Sequence, residues 1–375
     1  MSAPKLLMLV TEDWYFVSHR LSLARSAKIA GYDVTVVTGV GDMGGRISEA
    51  GVRVIPFRFD RRGMNALREL ATVARLVRLL RRERPEIVHN VSLKPVVLGG
   101  LACRLAGIER VLSAITGMGF LFTEQQRAPA VSKLVRGMLA RIGRRGMMVV
   151  QNRDDARLLV SSGVPEERIK LIPGVGVDLD TFRRMPEPDG VPVAALPARM
   201  LRDKGVFEFV EAARILRGRN VPVRCVLVGA PDDGNPTSIS TDTLKEWVAE
   251  GAVEWWGRSE DMPRTLGNVS IVCLPSYREG FPKVLAEAAS CGRAIVATDV
   301  PGCRDIVRHR ENGLLVQVRN GVQLALAIEE LACNKSSRTK MGDAGRRLAE
   351  QKFSTAAATQ QTLDVYAELL RSGGA

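Results

Sequence analysis

The chain has no apolar run approaching the roughly 18–20 residues needed to cross a bilayer. Its N-terminus is apolar only over residues 6–10, a strand-length run with no small-residue cleavage site, so it does not read as a secretion signal. None of the six cysteines (Cys103, Cys225, Cys273, Cys291, Cys303, Cys333) stands in C-x-x-C spacing. Without a secretion signal they read as reduced, mostly buried thiols of a cytoplasmic protein. Histidine is scarce, with three in the chain, and no His/Cys cluster has metal-ligand spacing, so no metal or other cofactor is expected. Few aromatics interleave with the basic residues and no nucleic-acid motif is present, which excludes nucleic acid as a partner despite the basic charge. No short repeat or low-complexity tract breaks the chain.

What is present fits two folded domains. A chain of 375 residues, 46% hydrophobic and 25% charged, is long enough and ordinary enough to bury two cores. The net charge of +13 is unevenly placed: residues 1–175 hold 28 Lys and Arg against 15 Asp and Glu, whereas residues 176–375 hold 26 of each. An excess confined to the first half points to an anionic partner there, or to solubility alone.

Residues 5–10, 33–38, 52–57, 86–89, 110–115 and 147–151 read as strands, and 18–30, 65–84, 94–106 and 129–143 as helices. The pattern then restarts, with strands at 192–198, 223–228, 253–256, 271–274, 294–297 and 313–317. Helices alternate with them at 205–216, 242–249, 282–290, 322–332 and 336–352. Strands alternating with helices predict an α/β protein of two Rossmann-like, doubly wound domains. The expected domains are residues 1–175 and 176–353. A final helix over 354–371 either completes the second domain or crosses back to the first within a tail of 354–375.

In doubly wound sheets ligands bind beyond the carboxyl ends of strands. The most informative such place is residues 276–291, SYREGFPKVLAEAASC, after the strand at 271–274. Gly280 permits close backbone approach, and Pro282 suits the first helical position. The helix start offers N–H groups and partial positive charge to a phosphate. Glu279 falls in the loop and Glu287 about a turn into the helix, where a carboxylate can accept two sugar hydroxyls at once.

This segment, Glu279-GFPKVLA-Glu287 followed by GRAIVATDVPGCRDIV and NGLLV, resembles the donor site of the family 4 glycosyltransferases of GT-B fold. PARMLRDKG places Arg199 and Lys204 like that family's basic pair, and PGVGVDLDTF is similar to its interdomain segment. The resemblance implies two domains facing each other across a cleft, and a retaining, metal-independent hexosyl- or N-acetylhexosaminyltransferase using a nucleotide-sugar donor, UDP-linked. It implies catalytic roles for Glu279, Arg199 and Lys204, the last two neutralising the departing diphosphate. Glu287 would hold the ribose, with the donor lined by Gly280, Phe281, Pro282, Lys283, Val284 and Gly229. On residues alone, Arg199 and Lys204 also fit a solvated loop.

The resemblance assigns acceptor binding to the first domain. Residues 11–19 (TEDWYFVSH) correspond to a loop facing the cleft, offering Asp13, Trp14 and His19, though Trp14, Tyr15 and Phe16 equally suit local packing. HNVSLKP and ITGMGFLFT are similar to segments of bacterial members that build lipopolysaccharide, capsule or lipid-linked oligosaccharide, and they offer Lys94, Thr116 and Gly117. Many members have His-Gly where Thr116-Gly117 stands, and a threonine cannot act as general base near neutral pH. Lys94 suits an acceptor phosphate or plain solvent. Asp178-Leu179-Asp180 has the form of a metal-nucleotide D-x-D but sits in the interdomain segment and reads as structural. The basic amphipathic helices at 65–84 and 133–145 suit an anionic membrane surface or an ordinary packed helix with a solvated face.

The expected partners are therefore a nucleotide sugar, a lipid-diphosphate-linked sugar and the inner face of the cell membrane, where the protein would be peripheral. The alternatives are a sugar-nucleotide 2-epimerase of the same fold and a non-catalytic donor-binding subunit.

Overall fold

The computed structural model describes residues 3–59, 66–118, 129–232 and 234–372. The chain divides into two units, residues 1–175 together with 356–375, and residues 176–355.

In the first unit β1 (Lys5–Glu12) leads into α1 (Asp13–His19) and α2 (Leu21–Ile29). Next come β2 (Asp33–Gly39), α3 (Gly44–Glu49), β3 (Arg53–Pro56), α4 (Ala66–Glu83) and β4 (Ile87–Val91). The unit continues with α5 (Leu93–Ala106), β5 (Val111–Ile115), α6 (Pro129–Gly143), β6 (Met147–Val150), α7 (Arg153–Ser161) and β7 (Ile169–Leu171). The strands form one parallel sheet in the order β3-β2-β1-β4-β5-β6-β7. All of β4 and β5 is buried, as expected of parallel strands covered by helices on both faces.

Residues 11–19 are not the loop expected from sequence. β1 runs on through Glu12 and α1 follows at once. The reason is Asp13, which is buried and accepts hydrogen bonds from the backbone N–H of Trp14 (2.7 Å), Gly41 (2.6 Å) and Met43 (3.0 Å). Its carboxylate completes the first turn of α1 and pins the chain after β2.

The chain returns to this unit with its last helix, Thr355–Arg371. There Val365, Tyr366 and Leu369 share a core with Leu6, Met8 and Ile87. Tyr366 Oη lies 2.7 Å from Nδ1 of His89, and both residues are fully buried. Burial, helped by nearby Arg20, holds His89 well below the usual imidazole range. The unfolded chain takes up a proton at His89 near about pH 6.5. The folded chain does not, so stability present above that pH is lost as pH falls through it. A midpoint-temperature profile from about pH 8 to pH 5 should show this acid limb. His89→Gln, which keeps a partner for Tyr366 but cannot titrate, should flatten it.

The second unit holds β8 (Val193–Pro197), α8 (Val206–Gly218), β9 (Arg224–Val228), α9 (Thr241–Ala249), β10 (Glu254–Trp255) and α10 (Met262–Gly267). β11 (Ile271–Leu274), α11 (Lys283–Ser290), β12 (Ala294–Thr298), α12 (Cys303–Ile306), β13 (Gly313–Val316), α13 (Gly321–Ala332) and α14 (Lys335–Lys352) complete it. α15 is the returning helix Thr355–Arg371. This sheet is also parallel, in the order β10-β9-β8-β11-β12-β13.

The period of two sends Ala194 and Leu196 into one apolar cluster, with Phe209 and Leu324. It sends Val193 and Ala195 into another, with Leu285 and Leu348. Ser240, Asp261, Asn320 and Asn334 each cap a helix by accepting from the backbone N–H three residues on. The strand order reverses between β8 and β11, and that is where a doubly wound sheet opens to a ligand.

Candidate active site

Two loops flank this switch point. One leaves β8 at Pro197 and brings Arg199, a 3₁₀ turn over Arg202–Lys204, and Gly205. The other leaves β11 at Leu274 and brings Ser276, Glu279 and Gly280 before α11 begins. They touch directly: the N–H of Tyr277 donates to the carbonyl of Asp203 at 2.9 Å. Gly205 has φ +73°, and a Cβ there would lie 2.1 Å from the carbonyl oxygen of Pro275, so no other residue fits. The loop after β12 closes on the same place, where Pro301 accepts from the N–H of Glu279 at 3.3 Å.

Lys204 Nζ lies 2.5 Å from Oε1 of Glu279, and the Ser276 hydroxyl donates to the same oxygen at 2.6 Å. Two donors on one oxygen orient the carboxylate. Both side chains are largely shielded, Lys204 at 22% and Glu279 at 12% exposure, so their pairing is less screened than a surface ion pair. Glu287 sits on the fifth residue of α11, buried, with Lys283 Nζ 3.2 Å away. Burial raises its pKa and the Lys283 ammonium opposes the rise. Arg199 is half exposed and pairs with Asp232, beyond β9, at 2.6 Å.

The structure thus joins Lys204 to Glu279, sets Glu287 along the same segment, and holds Arg199 against the carboxylate of Asp232. Asp232 and Ser276 were not singled out from sequence. Ser276 had a signal, three residues before Glu279; Asp232 meets Arg199 only through the fold.

The other expected donor residues are more structural. Phe281 and Val284 are partly buried and pack against an apolar cluster, with the Phe281 ring edge-on to Phe353 at 5.7 Å. Pro282 is the cap and α11 starts at Lys283, one residue later than expected, with its first amides unused within the helix. Gly229, at φ +149°, donates to Gly257 and accepts from the Trp255 indole, both at 2.7 Å, and knits the loop after β9 to its neighbours. Asp178 accepts from the N–H groups of Asp180 (3.0 Å) and Thr181 (3.2 Å) and from the Thr181 hydroxyl (2.8 Å). Those bonds, the hydroxyl's first, hold its pKa low. Among the described residues no group of His, Cys, Asp or Glu is placed to hold a metal ion.

In the first unit Asp13 is turned inward and is not available to an acceptor, a correction to the sequence reading. Trp14 is exposed, and His19 stacks on Tyr15 at 4.3 Å with Nδ1 2.6 Å from the Ser18 hydroxyl. Lys94 pairs with Glu69 at 2.5 Å, tying α5 to α4. Thr116, just past β5, lies 3.3 Å from the hydroxyl of Ser92, just past β4, and Gly117 follows at φ +150°. Residues 119–123 of the expected acceptor segment, like Asn65 of the basic helix, lie outside the described residues.

Two parallel Rossmann-like sheets in one chain are the architecture of the GT-B glycosyltransferases. Residues 179–348 match the family model of glycosyl transferases group 1, and residues 5–144 match that of glycosyl transferase 4-like proteins. The chain belongs to this family and is a glycosyltransferase.

The N,N'-diacetylbacillosaminyl-diphospho-undecaprenol alpha-1,3-N-acetylgalactosaminyltransferase of Campylobacter jejuni is 27% identical over 327 residues, 83% of this chain and 85% of that protein. The UDP-Gal:alpha-D-GlcNAc-diphosphoundecaprenol alpha-1,3-galactosyltransferase of Escherichia coli is 24% identical over 270 residues, 69% of each. A glycosyltransferase from Rickettsia africae shares the fold with a TM-score of 0.80 over 99% of both chains, at 20% identity.

Proposed function

We propose that this glycosyltransferase moves a sugar from a UDP-linked donor to a sugar carried on a lipid diphosphate, with retention of configuration and without a metal ion. The observation that carries this reading is the contact of Lys204, Glu279 and Ser276 at the β8/β11 switch point, ahead of the amino end of α11. In the proposed reaction the bond from the anomeric carbon to the diphosphate oxygen breaks and its electron pair leaves on the diphosphate. Lys204, Arg199 and the amides of Lys283 and Val284 stabilise that charge. Glu279 holds the sugar by its free oxygen, and Glu287 accepts the ribose hydroxyls. The acceptor hydroxyl attacks from the face the diphosphate leaves, and its proton passes to a phosphate oxygen.

The lipid-linked acceptor is supported by the two named relatives, both of which carry a diphospho-undecaprenol substrate in their names. It is also supported by the charge of the first unit. Among the described residues no helix is long and apolar enough to cross a membrane. On α4, however, Leu67 and Leu70 are exposed beside exposed Arg68, Arg75, Arg78 and Arg82, a surface suited to peripheral contact with anionic lipid.

The test is a panel of UDP-sugars against undecaprenyl-diphosphate-linked sugars, with and without chelator. The expected product keeps the donor's anomeric configuration and forms at the same rate in chelator. An inverted product, a chelator-sensitive rate, or donor turned into its epimer with no acceptor present would contradict the reading.

A further inference from the structure

A cavity of about 530 Å³ lies within the first unit, at the end of its sheet away from Thr116 and Gly117. It opens where β5 begins, at Val111, and where Gly146 leads into β6, between the second half of α5, the last turns of α6 and the end of α15. β5 spans five residues, so roughly 16 Å separates the cavity from the acceptor-side residues. It is not the acceptor site seen from behind.

Arg104, Arg110, Arg141, Arg145 and Arg168 line it, against a single acidic residue, Glu109. Among the described residues Arg104, Arg141, Arg145 and Arg168 have no carboxylate partner, unlike most arginines of the second unit. The wall between them is apolar, formed by Val97, Leu101, Met138 and Ile142. Leu101 and Leu105 are exposed on the outer face of α5 beside it.

We propose that this cavity takes an anionic phospholipid, its phosphate among the arginines and the first methylenes of one chain on the apolar wall. A purely polar metabolite would leave the apolar wall wet, and a purely apolar ligand would leave the guanidinium groups facing it unpaired. A lipid phosphate satisfies both, because the guanidinium fork matches phosphate oxygens in pairs. The cavity is of ordinary ligand size and does not hold a whole lipid, so the remainder of the chains stays in the bilayer and the protein is seated on it. The inference rests on the membrane part of the functional reading and is independent of which sugar is moved.

The experiment uses the full chain in two arms. In the first it is floated with phosphatidylcholine vesicles containing phosphatidylglycerol. Arg141→Glu with Arg145→Glu should weaken vesicle binding by more than about thirtyfold, the loss expected from two cations alone before the added negative charges are counted. The same charge change on α4, Arg75→Glu with Arg78→Glu, should weaken it less. Met138→Trp, which fills the cavity at unchanged charge, should also weaken it.

In the second arm dihexanoyl phosphatidylglycerol, a soluble short-chain lipid, is titrated without a bilayer, with inorganic phosphate as competitor. Wild type should bind it, Met138→Trp should not, and phosphate should compete poorly. A retained donor-induced thermal shift reports that each variant is folded. Equal losses from the two charge pairs with none from Met138→Trp would overturn the cavity and leave membrane contact standing. Short-chain binding without flotation would keep the cavity and remove the membrane reading. Phosphate competing as well as lipid would overturn the lipid assignment.

Discussion

Lys204→Ala is expected to lower kcat by on the order of 10²–10³, the cost of removing one preorganised group from a site where charge develops. Two losses combine. In the proposed reaction the leaving diphosphate would lose a cation that the fold holds in place, since the turn over Arg202–Lys204 is locked by Gly205 against the carbonyl of Pro275. Glu279 loses one of the two donors that share its Oε1 and keeps only Ser276. Because the charge grows in the transition state, kcat and kcat/KM should fall together, with a smaller change in KM for the donor. Lys204→Arg should recover part of the loss, as a broad guanidinium replaces a compact ammonium. Initial-rate kinetics against donor concentration measure this. A fall confined to KM would mean that Lys204 only binds.

The second large effect is expected at Glu287. A carboxylate accepting two hydroxyls should contribute about 1.5–3 kcal/mol per charged hydrogen bond, about 3–6 kcal/mol for the pair, so Glu287→Ala should weaken donor binding by on the order of a hundredfold or more. The free protein should not suffer. A buried carboxylate whose charged partner is the half-exposed Lys283 carries a desolvation cost, which is why its pKa is raised. Removing it should leave the midpoint temperature unchanged or higher, the mark of a residue kept for a ligand at the expense of stability.

The raised pKa also fixes a direction in pH. In the free protein Glu287 takes up a proton at higher pH than an exposed glutamate, so donor affinity should begin to fall earlier as the solution is acidified. Glu287→Gln should lose that limb. Calorimetric titration of UDP at several pH values tests both expectations, and an unaltered affinity in Glu287→Ala would remove Glu287 from the site.

Much of the fold was legible because both sheets are buried on both faces. Strands such as β6 and β11 are continuous apolar runs that stand out between helices. What escaped was short or tertiary. α3, α10 and α12 are helices of a turn or so, and β7 is a three-residue edge strand, too brief for periodicity to show. α7 did have a local sign, Asn152 capping the N–H of Asp155, but its mixed sequence hid it.

At the site, the Glu279–Glu287 spacing and the basic pair were visible in the chain, as was the helix start. The inward turn of Asp13 was not, because Gly41 and Met43 reach it from 28 and 30 residues away. The same holds for Asp232 on Arg199, separated by 33 residues, and for the arginines lining the cavity, which come from several separate stretches of chain.

The proposed function requires the loops after β8 and β11 to grip a sugar diphosphate. The direct measurement is a crystal structure of the protein with UDP bound. It should place the diphosphate within hydrogen-bond reach of Arg199 and Lys204, at the amino end of α11, with the ribose hydroxyls on Glu287. UDP bound elsewhere, with Lys204 still on Glu279 and Arg199 still on Asp232, would contradict it.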